Sequence, residues 1–485
     1  MSDCSVITRD CFSLVPTDFN PAKQTLRLGV EPRVIRLCPG LLDRQLFFHG
    51  LVGKKGAPVV IEPHQRGWID VGQRPDPRAV REDFIFLHLK ECRHVAIRDL
   101  HLANAWPTCI LLDKCEDITI EGCHFRAGKE AIYAKNSRRL LVRGCQWTQD
   151  TSPGHDLWHR IDWVEAHGGE GGNDTFAYFN GAFLGGKSLE SVCVERNVIR
   201  DAYNGIRLKG EGKEPRNNDV TIAGNTFLRI RDNPIEPERY AFNWHIYHNE
   251  IIDAHGWLSF DGVGGGYIYV YGNLGRFVTR QGSRTSPQHT MGRVLKLSFE
   301  TCNPMHRPGE VTPTLPWYVF NNSFFLRCPL IGGAACSVDE PDLFGIGPDI
   351  TNHLTFANNV FEWCEAGEHD DYTATWIELV RNFRKRPEDG VVFDGSLSNR
   401  WDYFEAVSDR YGWEENGQWA EGKLFEDGPG GDLRLRVGSP GLESAMPLTI
   451  RGPDKVYGIV TANGRIDRGA WQGDSLVRIA PAAAV

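Results

Sequence analysis

The sequence lacks any CxxC pair and any Cys/His cluster at zinc spacing, although it holds 13 cysteines among 485 residues. An odd, scattered set fits reduced thiols and a cytoplasmic protein, and it argues against a structural metal site. Positive charge is not in excess: 54 Lys and Arg against 63 Asp and Glu leave a net charge of −9. Such a balance gives no general attraction to nucleic acid or to an anionic membrane. No apolar run approaches membrane-spanning length, and "MSDCSVITRDCFSLVPTDF" has no basic region followed by an apolar stretch, so a soluble protein without a secretory signal is expected. What is present is glycine, at 52 residues, with 41% hydrophobic and 24% charged residues. That profile suits a turn-rich, strand-heavy chain, and its length suits either two domains or one elongated repeat.

A short pattern decides between these. A β-branched or aromatic strand runs into a turn residue and then into a second apolar strand, in "IRDLHL", "IEGCHF", "VRGCQW", "VERNVI", "IAGNTF", "IYHNEI", "VYGNLG", "FNNSFF" and "FANNVF". The marker residues are Leu100, Cys123, Cys145, Asn197, Asn225, Asn249, Asn273, Asn322 and Asn359. They stand 23, 22, 52, 28, 24, 24, 49 and 37 residues apart. Intervals in the low twenties equal one coil of a parallel β-solenoid, and the longer ones mark insertions or hidden coils. An Asn at the bend tolerates the left-handed conformation, and its amide can bond the equivalent Asn one coil away. Cys at the earlier bends is a small buried substitute.

These copies resemble the right-handed parallel β-helix superfamily that contains pectate lyases and polygalacturonases. The resemblance covers roughly residues 30 to 365, and "VIRLCPGLLDRQLFFHGLVGKKGAPVVIEP" is similar to its opening coil. The tail "LRLRVGSPGLESA" with "IDRGAWQ" resembles the closing segment of many members. The expected fold is all-β: a parallel β-helix over 1–365 with a long insertion at 146–180, a helical cap-like excursion over 366–425, and a closing segment over 426–485. The helical expectation rests on "TATWIELVRNF" and "RWDYFEAVSDRYGW", whose apolar residues fall at helical spacing. The resemblance implies an oligo- or polysaccharide substrate, and no nucleic acid or membrane partner.

Strand alternation then sorts side chains. Placing Ile110, Ile132, Phe183, Ile206, Ile235, Leu258 and Leu295 inward leaves two outward columns. One holds Leu111, Tyr133, Leu184, Arg207, Glu236, Ser259 and Lys296; the other holds Asp113, Lys135, Gly186, Lys209, Glu238, Asp261 and Ser298. Glu236, Glu238 and Asp261 would then share an outer face within roughly 5 to 8 Å, a range spanning both retaining and inverting glycosidase geometries. Crowded carboxylates raise at least one pKa, which lets an acid and a base coexist. Arg207, Lys209 and Lys296 would orient substrate, and Trp257 and Tyr133 would stack on sugar rings. The competing expectation is a solvated ladder of alternating charges, to which the two prolines of "DNPIEPE" and the following "DGVGGG" are foreign.

The insertion "HDLWHRIDWVEAHGGEGGNDTFAYFNG" adds Trp158, Asp162, Glu165 and His167 as candidate binding residues. Its His155, His159 and His167 are spaced like metal ligands, but the glycine-rich surroundings argue against a helix and no metal is expected. The leading expectation is a glycoside hydrolase with Glu238 and Asp261 as acid/base pair, Glu236 as alternate, and no cofactor. The rival is a polysaccharide lyase or uronate epimerase using Lys or Arg, with calcium, which Asp and Glu columns bind in some relatives. Against the rival, "IEPE" carries acids where calcium-dependent lyase relatives carry a basic residue. Polygalacturonase-type "NTD", "GHG" and "RIK" signatures are missing too. A non-catalytic glycan-binding β-helix is the third class.

Overall fold

The computed structural model describes residues 11–14, 33–42, 44–161, 163–168, 174–210, 217–278, 293–298, 315–326, 344–346, 354–363, 392–400, 404, 412–460 and 465–482. The chain divides into two units, the first made mainly of residues up to Thr221 and the second mainly of those from Asn233 onward.

In the first unit each coil contributes three short strands, and strands stack in parallel on their counterparts from the next coil. One column runs Leu46–His49, Ile85–Lys90, Thr108–Asp113, Glu130–Lys135, Ala182–Lys187 and Asn204–Lys209. A second includes Arg93–Arg98, Glu116–Glu121, Arg138–Arg143 and Leu189–Glu195, and a third includes His101–Ala103, His124–Arg126, Gln146–Thr148 and Val198–Ala202. Parallel sheets need both faces sheltered or one face closed upon itself; the coil does the latter, and the interior fills with Ile, Leu, Val and Phe such as Ile97, Ile120, Val142 and Val194.

The bends work differently from the expectation. The left-handed residue is the one before each marker: Asp99, Gly122, Gly144, Arg196, Gly224, His248, Gly272, Asn321 and Asn358 all have φ between 50° and 65°. Four glycines fall in this set because they reach that region without a Cβ penalty. The marker itself turns inward and satisfies backbone. In the second unit Asn225, Asn249, Asn273 and Asn322 each donate a side-chain amide to Oδ1 of the next Asn at 2.9 to 3.0 Å, ending on Asn359. Each such Oδ1 also accepts the backbone N–H of the preceding marker, so the buried turn amides of Asn225, Asn249, Asn273 and Asn322 are all paired. Cys123 and Cys145 are fully buried, as expected.

The second unit carries longer strands, Ile235–Tyr247 beside Gly256–Tyr271, which run through a corner with a register shift between Glu238 and Tyr240. Its stack continues beyond residue 365. Val392–Asp394 pairs with Leu354–Ala357, Leu397–Ser398 with Val360–Trp363, and Gln418–Trp419 with Leu397–Ser398, all in parallel. Within 366–425 the described strands at 392–394, 397–398 and 418–419 are therefore further coil, while Phe404 is helical; most of the two stretches with helical spacing lies outside the described residues. The closing segment packs Ile450 and Val477 on the outward aromatics Tyr269, Tyr271, Tyr318 and Phe320. Tyr269 Oη donates to the Arg451 carbonyl at 2.9 Å, and Arg451 N–H donates to Tyr318 Oη at 3.0 Å, which pins the segment to the stack.

Candidate active site

Register fixes which expected neighbours meet. In the second unit Ile235 pairs with Leu258 and Glu238 with Asp261, then Leu258 with Leu295 and Ser259 with Lys296. The strand register expected there is therefore the register observed, but Ser259 of the expected outward column is fully buried. Glu236 is only 6% exposed, and its Oε1 accepts the Asn233 side-chain amide at 3.2 Å. The Gly256 backbone leaves room for this: a Cβ there would stand 2.7 Å from Asn233 Oδ1. Glu238 is partly exposed. The side chains of Asp261 and Lys296 lie outside what is described.

Trp257 is a correction. It is 1% exposed, with its ring edge-on to Phe324 at 4.9 Å, so it fills the interior and offers no face to a sugar. Near a strand start the chain is still leaving a bend, and alternation counted from Leu258 does not yet hold.

In the first unit the columns need a one-residue correction. Ile132 pairs with Leu184, not Phe183, and Leu184 with Ile206. The outward columns become Leu111, Tyr133, Gly185, Arg207 and Asp113, Lys135, Lys187, Lys209. The second is thus a run of lysines after Asp113, with Lys135 held by Glu82 at 2.6 Å and by Asp113 at 3.9 Å.

At the start of these strands sits a group that alternation did not reveal. Glu130 is 2% exposed; its Oε1 accepts Arg81 Nη2 at 3.2 Å and its Oε2 accepts the Ala182 N–H at 3.1 Å. Arg81 also donates to Tyr133 Oη at 3.0 Å and stands 4.1 Å from the centre of that ring. Tyr133, itself 3% exposed, is therefore covered by Arg81 and is not the sugar platform expected. Gly185 makes the space, because a Cβ on it would come within 2.5 Å of Glu130 Oε2. Burial raises the Glu130 pKa against the opposing pull of Arg81, Arg207 and Lys129. Arg81 is shifted upward as well, although an ion pair alone would push its acid down. Both move upward because the nearly sealed acid bears the desolvation, whereas Arg81, 40% exposed, keeps its charge and gains from the ion pair.

The insertion contains short helices after all, Asp156–His159 and Trp163–His167, and a 3-10 turn over Asp174–Phe179. It begins after the strand Gln146–Thr148, which belongs to the stack. Gln149 ties it down by donating to the carbonyls of Gly128, Lys129 and Phe179 and accepting from the Tyr203 N–H. Trp158 is fully buried and so is packing, not a binding surface, and Glu165 is 7% exposed. Asp162 lies outside the described residues. His167 stacks on Trp163 at 4.3 Å and its Nδ1 lies 2.8 Å from Tyr203 Oη, while Trp163 donates to Asp232 at 3.2 Å. Asn180 joins this group to the sheet, donating to the His167 carbonyl and accepting from Arg207 at 3.1 Å. Among the described residues no three His, Cys, Asp or Glu side chains converge as a metal site.

Comparison with known proteins bears on the fold. No curated protein sequence matches the chain. Among solved structures it is similar to a GH136 lacto-N-biosidase from Eubacterium ramulus, at 12% identity and TM-score 0.41, over 80% of this chain and 67% of that one. It is also similar to a mannuronic acid specific polysaccharide family 6 lyase from human gut microbiota (12%, TM-score 0.44, 85% and 92%) and to a pectate lyase (11%, 0.39, 90% and 87%). Residues 86–273 match the family model described as a right handed beta helix region. That match and the strand order together give the chain the fold of a parallel β-helix, with residues 86–273 matching the right-handed form.

Proposed function

We propose that the protein is a carbohydrate-active enzyme, a glycoside hydrolase that cleaves an oligo- or polysaccharide with Glu238 and Asp261 as its carboxyl pair. The observation that supports this reading is their register: the two are direct partners on adjacent parallel strands. Such strands run about 4.8 Å apart, close to the ~5 Å separation of carboxyls in retaining enzymes. One carboxylic acid protonates the leaving oxygen while the other carboxylate attacks the anomeric carbon. Water then releases the sugar, with the first group acting as base. Glu236, two residues before Glu238, is the alternate acid, and its Asn233 contact fixes where it points. The test is incubation with neutral and acidic glycans, following reducing ends, ultraviolet absorbance and the anomeric configuration of the first product. Reducing ends with retained configuration are expected; inversion or unsaturated products would remove the reading.

A second reading, lyase or uronate epimerase, is favoured by the other cluster. Arg81, Lys129 and Arg207 surround the buried acid Glu130 beside Tyr133, a cluster of positive charge suited to a sugar carboxylate. Unsaturated products, or exchange of the proton next to the carboxylate, would establish it. Calcium enters only with this reading.

A further inference from the structure

The closing segment of the second unit holds a cleft that the proposed reaction does not use. Its volume is about 310 Å³, at the small end for a ligand site and enough for one sugar ring. Two antiparallel hairpins wall it, Phe425–Asp427 with Asp432–Leu435 and Trp471–Gln472 with Ser475–Leu476. The walls are tied together. Asp467 accepts the N–H groups of Glu443 at 2.7 Å and Gly473 at 3.2 Å, and its own N–H donates to Gln472 Oε1 at 2.8 Å. Arg434 donates to Asp432 at 2.8 Å and lies 3.6 Å from Asp474 on the opposite hairpin.

The lining has a definite chemistry. Trp471, Leu435 and Leu442 give it apolar surface, and Trp471 is only partly buried. The indole Nε1–H finds no acceptor among the described residues, whereas a sheltered indole N–H ordinarily has one. Four acidic residues, Glu426, Asp432, Asp467 and Asp474, line it with one guanidinium, Arg434, which pairs with Asp432 and lies near Asp474. Ionised carboxylates only accept hydrogen bonds, so the complementary ligand is rich in donors and carries no acid of its own. A sugar ring has an apolar C–H face for the indole and donors around its edge.

We propose that this cleft is a binding site for a single sugar ring presenting hydroxyl or ammonium donors and no acid group, separate from the site of cleavage. The test is saturation-transfer NMR on the full chain with methyl glucosaminide, methyl glucoside and methyl glucuronide, one ring in three charge states. Glucosaminide and glucoside should bind and glucuronide bind at least about tenfold more weakly, with added salt shrinking the glucosaminide advantage. Trp471→Ala should abolish both signals. If that variant fails to fold, Asp474→Asn carries the test, since that side chain is 98% exposed. It should weaken glucosaminide while leaving glucoside unchanged. Equal binding of all three sugars, binding of none, or full binding by a folded Trp471→Ala chain would overturn the proposal. The readout is binding without turnover, so failure here and failure of the hydrolase reading are separate results.

Discussion

One guanidinium, that of Arg81, holds both the Glu130 carboxyl at 3.2 Å and the Tyr133 hydroxyl at 3.0 Å. A loop residue thereby joins two side chains of one strand that sit three positions apart, and it caps a carboxyl sealed from water.

This sealing makes stability depend on pH. Burial raises the Glu130 pKa, so the folded state favours the neutral form more than the unfolded state does. The contribution of this group is complete below the ordinary carboxylate pKa and is lost as pH rises through the raised value. Glu130→Gln should flatten that part of the profile by up to about 1.4 kcal/mol per pH unit, read from urea midpoints at a series of pH values.

Gly185→Ala tests the space around the same acid. A Cβ would stand 2.5 Å from Glu130 Oε2 and 3.0 Å from the Tyr133 ring, with the neighbouring strand leaving little room to yield. A loss of about 1–3 kcal/mol is expected from overcrowding, and denaturant unfolding measures it.

The asparagine ladder predicts a comparable loss from stranded hydrogen bonds rather than from crowding. Asn249→Ala removes an acceptor from the Asn225 backbone and side chain, and a donor from the Asn273 Oδ1 and the Ile222 carbonyl. Stranding these buried groups should cost about 2 kcal/mol or more. A substitution of exposed Val437, made as a control, should leave the unfolding midpoint where it was.

Catalysis tests the paired acids. Glu238→Gln and Asp261→Asn should each lower kcat by about 100-fold or more on whichever glycan the panel identifies, with circular dichroism unchanged. Full turnover in both variants would remove these residues from the reaction.

How much of this was legible follows the physics of each part. The coil repeat was visible because bends recur every 22 to 24 residues where no insertion intervenes and demand small or amide side chains. The pairing of Glu238 with Asp261 was visible because alternation is strict in the middle of a strand. At strand ends it fails: counting in twos points Phe183 inward where Leu184 stands and turns Trp257 outward. Glu130 was missed because counting in twos from Ile132 assigns it to the interior, and its partner Arg81 lies 49 residues earlier in a loop. An acid at an inward position of "EAIYAK" was the only signal.

By itself, then, the sequence determined the coil, the inward apolar residues in the middle of its strands and the bend asparagines, because these follow from local periodicity and from the need to satisfy turn amides. Tertiary structure alone decided which residue of each bend takes the left-handed conformation, where Glu130 meets Arg81, and which aromatics are covered. Those outcomes depend on register between coils and on loops arriving from far along the chain, and neither leaves a periodic trace.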